Sequence, residues 1–314
     1  MKILITGGRG LVAGRLAKYL KSKSYQVKLV GRKIENNYSN KKKLNIYPIN
    51  WNRDTSIKSN LKNIDVIVHA AGSNAEDAKK NPTKALKFKQ KSTSKLIYYA
   101  KKMKIKKIIY LSSCHVYKKN NKKNLIHENS LTDSVIPYKK AHLAAEKKLS
   151  EIGSNNELQY IILRISNIVG SPINKTSNCW TLLANDLCRQ AILNKKMIIK
   201  SSQNQNINFI TMTEVFRVIN FIIKNKNFRS GKYNLVSDTE KSISYIAKKI
   251  KFRCNKLYKY GPPVIANFHK NPKYHSKISN HKIYKIIKKV KLNFEKEIDD
   301  LLKFCKKNFD KKYT

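Results

Sequence analysis

The chain lacks the residue patterns that mark metal-binding, secreted and membrane-spanning proteins. Its five cysteines are widely spaced and include no Cys-x-x-Cys pair, so we predict reduced thiols and neither a zinc site nor a redox couple. No apolar run is long enough to cross a bilayer, and no signal peptide precedes the first predicted strand. We therefore expect a cytoplasmic protein without a bound metal ion.

Acidic residues are also scarce, with 19 Asp and Glu against 67 Lys and Arg and a formal net charge of +48. Such an excess is typical of proteins that bind nucleic acid. The lysines are nevertheless spread over every segment, and the densest runs, Lys41–Lys43 and Lys118–Lys123, lie between predicted elements without any nucleic-acid-binding motif. We interpret the charge as solvated surface that favours anionic substrates, and we expect no nucleic-acid partner.

What the sequence does contain is a regular alternation of short β-branched runs and helical patterns, which is typical of βαβ units. Strands are predicted at Lys2–Thr6, Gln26–Val30, Ile46–Ile49, Val66–Ala70, Lys107–Ser112, Gln159–Ile165, Ile207–Thr211 and Tyr233–Leu235. Helices are predicted at Leu11–Lys21, Lys84–Met103, Tyr138–Leu149, Trp180–Leu193, Thr213–Lys224, Ser242–Lys251 and Phe294–Lys306, with Lys256–Ser279 as a loop. Right-handed crossovers assemble such units into an α/β fold with a Rossmann-type, doubly wound parallel sheet.

A glycine-rich run connects the first predicted strand to the first predicted helix. It contains Thr6, Gly7, Arg9, Gly10 and Ala13. Glycines at such a turn let the backbone approach a pyrophosphate, which binds to the free N–H groups at the helix N-terminus. The position of this run therefore predicts a dinucleotide site rather than an ordinary tight turn.

The end of the second strand distinguishes NAD from NADP, because a carboxylate there accepts from the ribose 2′-hydroxyl whereas an arginine pairs with a 2′-phosphate. The chain has Gly31-Arg32-Lys33 at this point and no acid. Arg9, in the glycine-rich run, is a second candidate to contact the same phosphate. We expect NADP as cofactor, with NAD as the alternative.

Seven segments together resemble the extended short-chain dehydrogenase/reductases, which include nucleotide-sugar epimerases, dehydratases and reductases. These segments are Thr6–Ala13, His69-Ala70-Ala71-Gly72, Leu111–Tyr117, Pro137–His142, Leu163–Gly170, Asn208–Val215 and Tyr233-Asn234-Leu235. The resemblance runs nearly end to end. It implies that residues 1–170, with elements returning near 207–240, form the dinucleotide-binding domain. Residues 171–206 and 241–314 would then form a smaller substrate-binding region.

The resemblance also assigns roles to individual residues. It places Ala70, Ala71 and Gly72 beside the cofactor, makes Tyr138 the general acid/base and makes Ser113 the hydrogen-bonding partner of the reacting oxygen. The family lysine four residues after the tyrosine lowers the pKa of that tyrosine and holds the nicotinamide ribose. This chain has His142 there, on the same helix face as Tyr138.

The assignment of Tyr138 depends on element order rather than on the Tyr-x-x-x-Lys pattern. That pattern occurs by chance in so lysine-rich a chain, at Tyr19/Lys23, Tyr38/Lys42, Tyr98/Lys102, Tyr245/Lys249 and Tyr284/Lys288. None of these pairs lies on the helix that comes after the Ser112-Ser113 strand. Tyr138 does, and we therefore predict it to be the catalytic tyrosine.

Departures from the family pattern narrow the expected reaction. Dehydratases of the family carry an Asp-Glu pair directly after the serine, where this chain has Cys114 and His115, so dehydration is disfavoured. Asn167 matches a substrate-contacting position, and Trp180 is a candidate to stack on a base or sugar.

We accordingly expect an NAD(P)-dependent epimerase or ketoreductase acting on a nucleotide-diphosphate sugar, with a role in cell-surface polysaccharide biosynthesis. We also expect a homodimer. A nonenzymatic NADP-binding regulator with a degenerate site is the first alternative. A nucleic-acid-associated protein is the second.

Overall fold

The computed structural model describes residues 1–32, 44–118, 125–153, 158–266, 276–290 and 293–310. The lysine run Lys41–Lys43 and most of Lys118–Lys123, which the sequence predicts to be solvated loops, lie outside these residues, as does Lys33. In the part of the chain that is described, no helix is long and apolar enough to cross a membrane.

The first half of the chain alternates strands and helices as the sequence predicts. Its elements are β1 (Lys2–Thr6), α1 (Leu11–Lys21), β2 (Gln26–Gly31), β3 (Ile46–Pro48), α2 (Asp54–Leu61), β4 (Val66–His69), α3 (Ala75–Lys80), α4 (Pro82–Lys102), β5 (Lys107–Ser113), α5 (Pro137–Ser150) and β6 (Gln159–Ile165). The short helices α2 and α3 are absent from the sequence prediction. Both are too short to show a clear apolar period.

The second half contains β7 (Asn167–Val169), α6 (Leu183–Leu193), β8 (Met197–Ile199), β9 (Asn206–Thr211), α7 (Met212–Lys224), β10 (Gly231–Leu235), β11 (Glu240–Ser242), α8 (Ile243–Tyr258), β12 (Val264–Ala266), α9 (His281–Tyr284) and α10 (Phe294–Phe309). The predicted loop Lys256–Ser279 is wrong at its start. Helix α8 continues to Tyr258 and ends at Lys259, whose φ of 58° is left-handed. Val264–Ala266 then pairs with β8 in parallel, a long-range contact that local sequence does not reveal.

Seven strands form the central sheet in the order β10-β6-β5-β4-β1-β2-β3, and the pairings from β5 across to β3 are parallel. The strand order reverses between β1 and β4, where Thr6 is in register with His69. In open α/β sheets such a switch point is where ligands bind, beyond the carboxyl ends of the strands. The predicted α/β fold with a Rossmann-type sheet is confirmed.

One face of this sheet is covered by α2, α4 and α5. Alternate strand residues point to that face because side chains in a strand have a period of two. The cluster they form with the helices is fully buried and includes Leu4, Ile67, Ile162, Ile57, Leu61, Leu96, Tyr99, Ala145 and Leu149. This packing fixes the positions of α4 and α5, which carry polar side chains of the candidate site.

The chain divides into two compact units. The described residues of the first are 1–32, 44–118, 131–153, 158–164 and 218–233. Those of the second are 125–130, 165–217, 234–266, 276–290 and 293–310. Strand β9 pairs with β7 and β11 in a separate three-stranded sheet.

The second unit has its own apolar core, formed by α6, α8 and α10. Cys188, Cys254 and Cys305 lie in it among isoleucine and leucine side chains. All five cysteines are buried free thiols. Burial raises the pKa of Cys254 and Cys305 to about 12, so these thiols pack as small apolar groups.

Candidate active site

The glycine-rich run forms a tight loop against the end of β4. Gly7 has a φ of 80°, and a Cβ there would lie 2.9 Å from the backbone of Ala70 and Ala71, so a side chain at this position would be strained and would collide. The amide of Gly10 donates to the carbonyl of Gly7 at 2.8 Å, which closes the turn. The loop is thus held in direct contact with Ala70 and Ala71, two residues that the resemblance also places beside the cofactor.

Thr6 ties the two strand ends together. Its Oγ1 accepts hydrogen bonds of 3.1 Å from the amides of both Ala70 and Ala71, and it lies 2.8 Å from Nδ1 of His69. Thr6 is therefore a positioning residue of the loop, with its hydroxyl fully engaged by protein groups.

The start of α1 has the features of an anion site. Gly10 is the N-cap, and among the described residues no side chain caps the helix and no acid lies in its first turn. The first-turn N–H groups and the positive end of the helix dipole are then available to a phosphate. Ala13 is buried one turn further on, where a small residue lets the helix pack closely. The loop therefore fits the diphosphate of a dinucleotide.

A cavity of about 980 Å³ opens beside this loop in the same unit. Its lining combines apolar and aromatic side chains with several cations, and it is formed by Arg32, Ile49, Asn50, Trp51, Asn52, Lys80, Asn81, Pro82, Thr83, Lys84, Lys87, Phe88 and Lys91. Arg9 donates from Nη2 to the carbonyl of Arg32 at 2.9 Å, and its buried Nε has no hydrogen-bond partner among the described residues. Burial, and then the neighbouring charge of Arg32, lower the pKa of Arg9. A bound anion beside Arg9 would raise this pKa again and so offset both the burial and the neighbouring positive charge.

The predicted catalytic residues meet where β5 ends and α5 begins. Ser113 is the last residue of β5, and its Oγ accepts from the amide of His115 at 3.2 Å. Tyr138, the second residue of α5, is partly buried, and its phenol shares a hydrogen bond with Ser113. Burial raises the pKa of Tyr138, and the bond to Ser113 partly offsets that rise. His142 lies one turn further along α5, with its ring centroid 4.5 Å from that of Tyr138.

Three further polar residues lie next to this group, and sequence reasoning gave none of them a role, although His69 belongs to one of the family segments. Tyr110 of β5 places its hydroxyl oxygen 2.8 Å from Nδ1 of His142. The ring of His69 lies 5.6 Å from that of Tyr110, and Nζ of Lys89 lies 4.7 Å from the centre of the Tyr110 ring. The sequence does hold one signal, since Lys89 shares the buried face of α4 with residues at helical spacing such as Ala85 and Leu96.

Burial also sets the charge of these groups. It is the largest cause that lowers the pKa of His69 and of His142 well below the ordinary value, and the positive charge of Lys89 lowers both further. Both imidazoles are therefore neutral near pH 7. Burial lowers the pKa of Lys89 to about 7, so this lysine exchanges its proton in the physiological range.

The two predicted substrate residues belong to the second unit. Asn167 lies in β7 and donates from Nδ2 to the carbonyl of Asn208 at 3.0 Å. Trp180 precedes α6, which begins at Leu183 rather than at the predicted residue 180. Its indole donates to the carbonyl of Lys175 and packs against Phe304 and Phe309. Trp180 is thus part of an aromatic cluster, and its contact with substrate stays a prediction.

The described residues contain no group of three or more His, Cys, Asp or Glu side chains that could hold a metal ion. The first unit instead combines a glycine loop that fits a diphosphate with a hydrogen-bonded phenol, a serine hydroxyl and a neutral imidazole. Such a set can transfer a proton to or from an alcohol or carbonyl oxygen.

Comparison with known proteins finds similar sequences and similar structures. A dTDP-D-glucose 4,6-dehydratase of Dictyostelium discoideum is 27% identical over 274 residues, which are 79% of this chain and 61% of that protein, so this chain spans less than two thirds of that relative. The UDP-glucose 4-epimerase of Thermus thermophilus, solved in complex with NAD, superposes with a TM-score of 0.78 at 13% identity over 98% of this chain and 100% of its own. RMD from Pseudomonas aeruginosa, complexed with NADPH, superposes with a TM-score of 0.78 at 16% identity over 97% of this chain and 98% of its own.

At identities this low, the superpositions show that the fold is shared and nothing more. The family assignment comes from the sequence itself. Residues 3–235 match the family described as the NAD dependent epimerase/dehydratase family. That match covers well over half of the chain and includes the glycine-rich loop, β5 and α5. The resemblance predicted from the motifs is confirmed, as is a nicotinamide dinucleotide as cofactor. The chain belongs to the NAD dependent epimerase/dehydratase family.

Proposed function

We propose that this protein is an NAD(P)-dependent epimerase or ketoreductase that acts on a nucleoside-diphosphate sugar. The observation that carries the proposal is the hydrogen-bonded pair of Tyr138 and Ser113 in the same unit as the glycine cradle of Gly7 and Gly10. When bound, the dinucleotide supplies a nicotinamide carbon that accepts or donates a hydride. The residues of the chain then have to move one proton at the sugar oxygen.

Tyr138 carries that proton. As the phenolate it takes the proton from a sugar hydroxyl during oxidation, and as the phenol it returns that proton during reduction, while the hydroxyl of Ser113 donates to the same oxygen and polarises it. The raised pKa of Tyr138 keeps the phenol protonated in the ligand-free protein, which suits the reductive direction. His142 stays neutral and orients the phenol from the next turn of α5.

The glycine-rich loop supports the assignment of the dinucleotide contacts. Gly7, Gly10 and the start of α1 would hold the diphosphate, with the backbone of Ala70, Ala71 and Gly72 beside the loop. The basic cavity beside Arg32 would hold the adenosine end.

Arg32 and Arg9 favour NADP, because Arg9 donates to the backbone carbonyl of Arg32 and the charge of Arg32 lowers the pKa of Arg9, so a 2′-phosphate bound here would pair with positive charge from both residues. RMD from Pseudomonas aeruginosa, which has the same fold, is complexed with NADPH, so the fold accommodates the phosphorylated cofactor.

The choice of reaction rests on the two residues directly after Ser113. Cys114 is a buried thiol and His115 an exposed imidazole, so the adjacent pair of carboxylates that water elimination uses in the family is missing. Epimerisation and ketone reduction need only the hydride step and the Tyr138 proton. Asn167 is the proposed substrate contact in the second unit. A cytoplasmic location, a homodimer and a role in cell-surface polysaccharide synthesis stay predictions.

The test is turnover of UDP-glucose and dTDP-glucose, the sugar nucleotides named for the relatives, together with their 4-keto forms, followed by NMR with either cofactor. Tyr138→Phe should lower the rate by about 10²–10⁴-fold because it removes the proton carrier. Tyr98→Phe on the exposed face of α4 is the matched control and should leave the rate unchanged. Full activity in Tyr138→Phe would exclude the mechanism. Tight cofactor binding without turnover of any sugar nucleotide would favour the regulatory alternative.

A further inference from the structure

The cation that the family places four residues after the tyrosine is missing from its usual position. His142 stands there, only 5% exposed, and burial lowers its pKa well below the ordinary range. A neutral imidazole cannot favour a tyrosinate as an ammonium group does. A site built on Tyr138 therefore needs a positive charge from another element.

Lys89 brings a positive charge to the same place from helix α4. Its side chain is 3% exposed, and its Nζ lies 4.7 Å from the centre of the Tyr110 ring, whose hydroxyl is 2.8 Å from Nδ1 of His142. Among the described residues, no hydrogen bond or ion pair of this Nζ is found. A lysine buried in this manner among aromatic rings is costly, since burial disfavours its charged form.

The absence of a side chain at Gly72 makes room for this lysine. A Cβ on Gly72 would lie 2.4 Å from Cε and 2.6 Å from Nζ of Lys89. Glycine at this point lets the ammonium group reach the end of β4, beside Ala70 and Ala71. The end of Lys89 thus lies against Gly72 on one side and over the Tyr110 ring on the other.

We propose that Lys89 supplies, from α4, the ammonium group that the family otherwise places four residues after its catalytic tyrosine. The inference rests on the proposed function, because it assigns the charge that serves Tyr138. Lys89 is a positioning residue in this scheme. It acts through the electrostatic field at Tyr110, His142 and Tyr138 rather than by transferring the substrate proton.

The positive charge of Lys89 acts on the titratable groups that lie around its side chain. They are His69 on β4, Tyr110 on β5 and His142 on α5. Tyr138 lies beside His142, and His115 and Glu146 are further charges that act on His142 and Tyr110. Burial holds the imidazoles of His69 and His142 neutral, and the charge of Lys89 lowers their pKa values further. Tyr110, whose pKa burial raises well above its ordinary value, keeps its proton and donates it to Nδ1 of His142. The remaining ring proton of His142 then lies on Nε2, on the side away from Tyr110.

The first test reads this coupling in the ligand-free protein. The ring protons of His142 and His69 are titrated by NMR in the wild type, in Lys89→Met, which keeps the side-chain length without the charge, and in Lys102→Met, an exposed lysine of the same helix. In Lys89→Met both imidazoles should titrate at higher pH than in the wild type, and in Lys102→Met they should not. Unchanged titration in Lys89→Met would overturn the proposal.

The second test transfers the positive charge from position 89 to position 142. Lys89→Met should lower kcat by at least about tenfold with little change in KM, and it should fold because it removes a buried charge. Adding His142→Lys to that variant returns an ammonium group to the family position and should recover most of the lost rate. If the double variant folds and binds cofactor normally but its rate does not recover, Lys89 does not replace the ammonium group of the family position.

The two experiments separate this inference from the proposed function. If no sugar nucleotide is converted, or if Tyr138→Phe keeps full activity, the proposed function is wrong, whatever the result of the histidine titrations. If Tyr138→Phe is inactive while Lys89→Met turns over at the wild-type rate, the function stands and the role of Lys89 is wrong.

Discussion

The hydroxyl oxygen of Tyr110 lies 2.8 Å from Nδ1 of His142, and both groups are buried between β5 and α5. The bond fixes the plane of the imidazole next to Tyr138 and satisfies a nitrogen that water cannot reach. Tyr110→Phe removes the donor and leaves that nitrogen unpaired. We expect a loss of about 1–3 kcal/mol in the free energy of unfolding, measured by urea denaturation. Tyr98→Phe, at an exposed position, should change it by less than about 0.5 kcal/mol.

Gly10 offers a clean test of the dinucleotide site. Its φ of −74° is open to any residue, and a Cβ would meet only the carbonyl oxygen of Gly7 at 3.2 Å. Gly10→Val should therefore fold while its side chain fills the volume of the diphosphate, and cofactor binding measured by calorimetry should be abolished. Gly7→Ala should instead destabilise the protein, because its φ of 80° and its 2.9 Å approach to Ala70 forbid a side chain. Normal dinucleotide affinity in folded Gly10→Val would exclude the site.

Arg32 should determine the preference between the two cofactors. A charge-assisted contact with the 2′-phosphate contributes roughly 1.5–3 kcal/mol, so Arg32→Ala should weaken NADP binding at least about tenfold and NAD binding little. Arg53→Ala, an exposed arginine that does not line the cavity, is the matched control. Equal losses for NADP and NAD in Arg32→Ala would show that Arg32 does not contact the phosphate.

Lys89 should lower the stability of the protein in a pH-dependent manner. Its pKa falls from 10.5 to about 7 on folding, so between these values the unfolded chain binds more protons and stability rises with pH. The cost of burying the charge is complete below about pH 7. Lys89→Met should then stabilise the protein by roughly 2–4 kcal/mol at pH 6, and the gain should vanish near pH 10.5. A gain in melting temperature that does not depend on pH would contradict the burial of a titrating ammonium group.

The buried pair of Arg164 and Glu146 anchors α5 to β6. The guanidinium donates to both carboxylate oxygens, with a shortest distance of 2.6 Å, and Ser112 donates to the same carboxylate at 2.6 Å. Glu146→Gln leaves the arginine charge unpaired in the interior and should cost about 3–5 kcal/mol in chemical denaturation. Glu151→Gln breaks the exposed pair with Lys148 at the end of α5 and should cost at most about 1 kcal/mol. Similar losses in both variants would mean that burial does not govern the Arg164 pair.

Elements with a strong local pattern were predictable from the sequence. Lys2–Thr6, Leu11–Lys21 and Gln159–Ile165 match the observed β1, α1 and β6 at both ends, because a continuous apolar strand and an amphipathic helix each have a distinct period. Elements that depend on distant partners were not. Strand β12 exists because Val264–Ala266 pairs with β8, and the aromatic cluster at Trp180 exists because α10 lies against it.

The sequence by itself determined the family, the parallel sheet and the glycine cradle, since each depends on residues that are neighbours in the chain. It also determined that Tyr138 and His142 share a helix face. Only the tertiary structure decided the electrostatics around them. By residue type alone, nothing distinguishes Lys89 from the many other lysines of the chain. In the folded structure α4 packs against α5, and the absence of a side chain at Gly72 leaves room for the Lys89 ammonium group. Burial then lowers its pKa to about 7 and keeps His142 neutral, because charge is stabilised by water that folding removes.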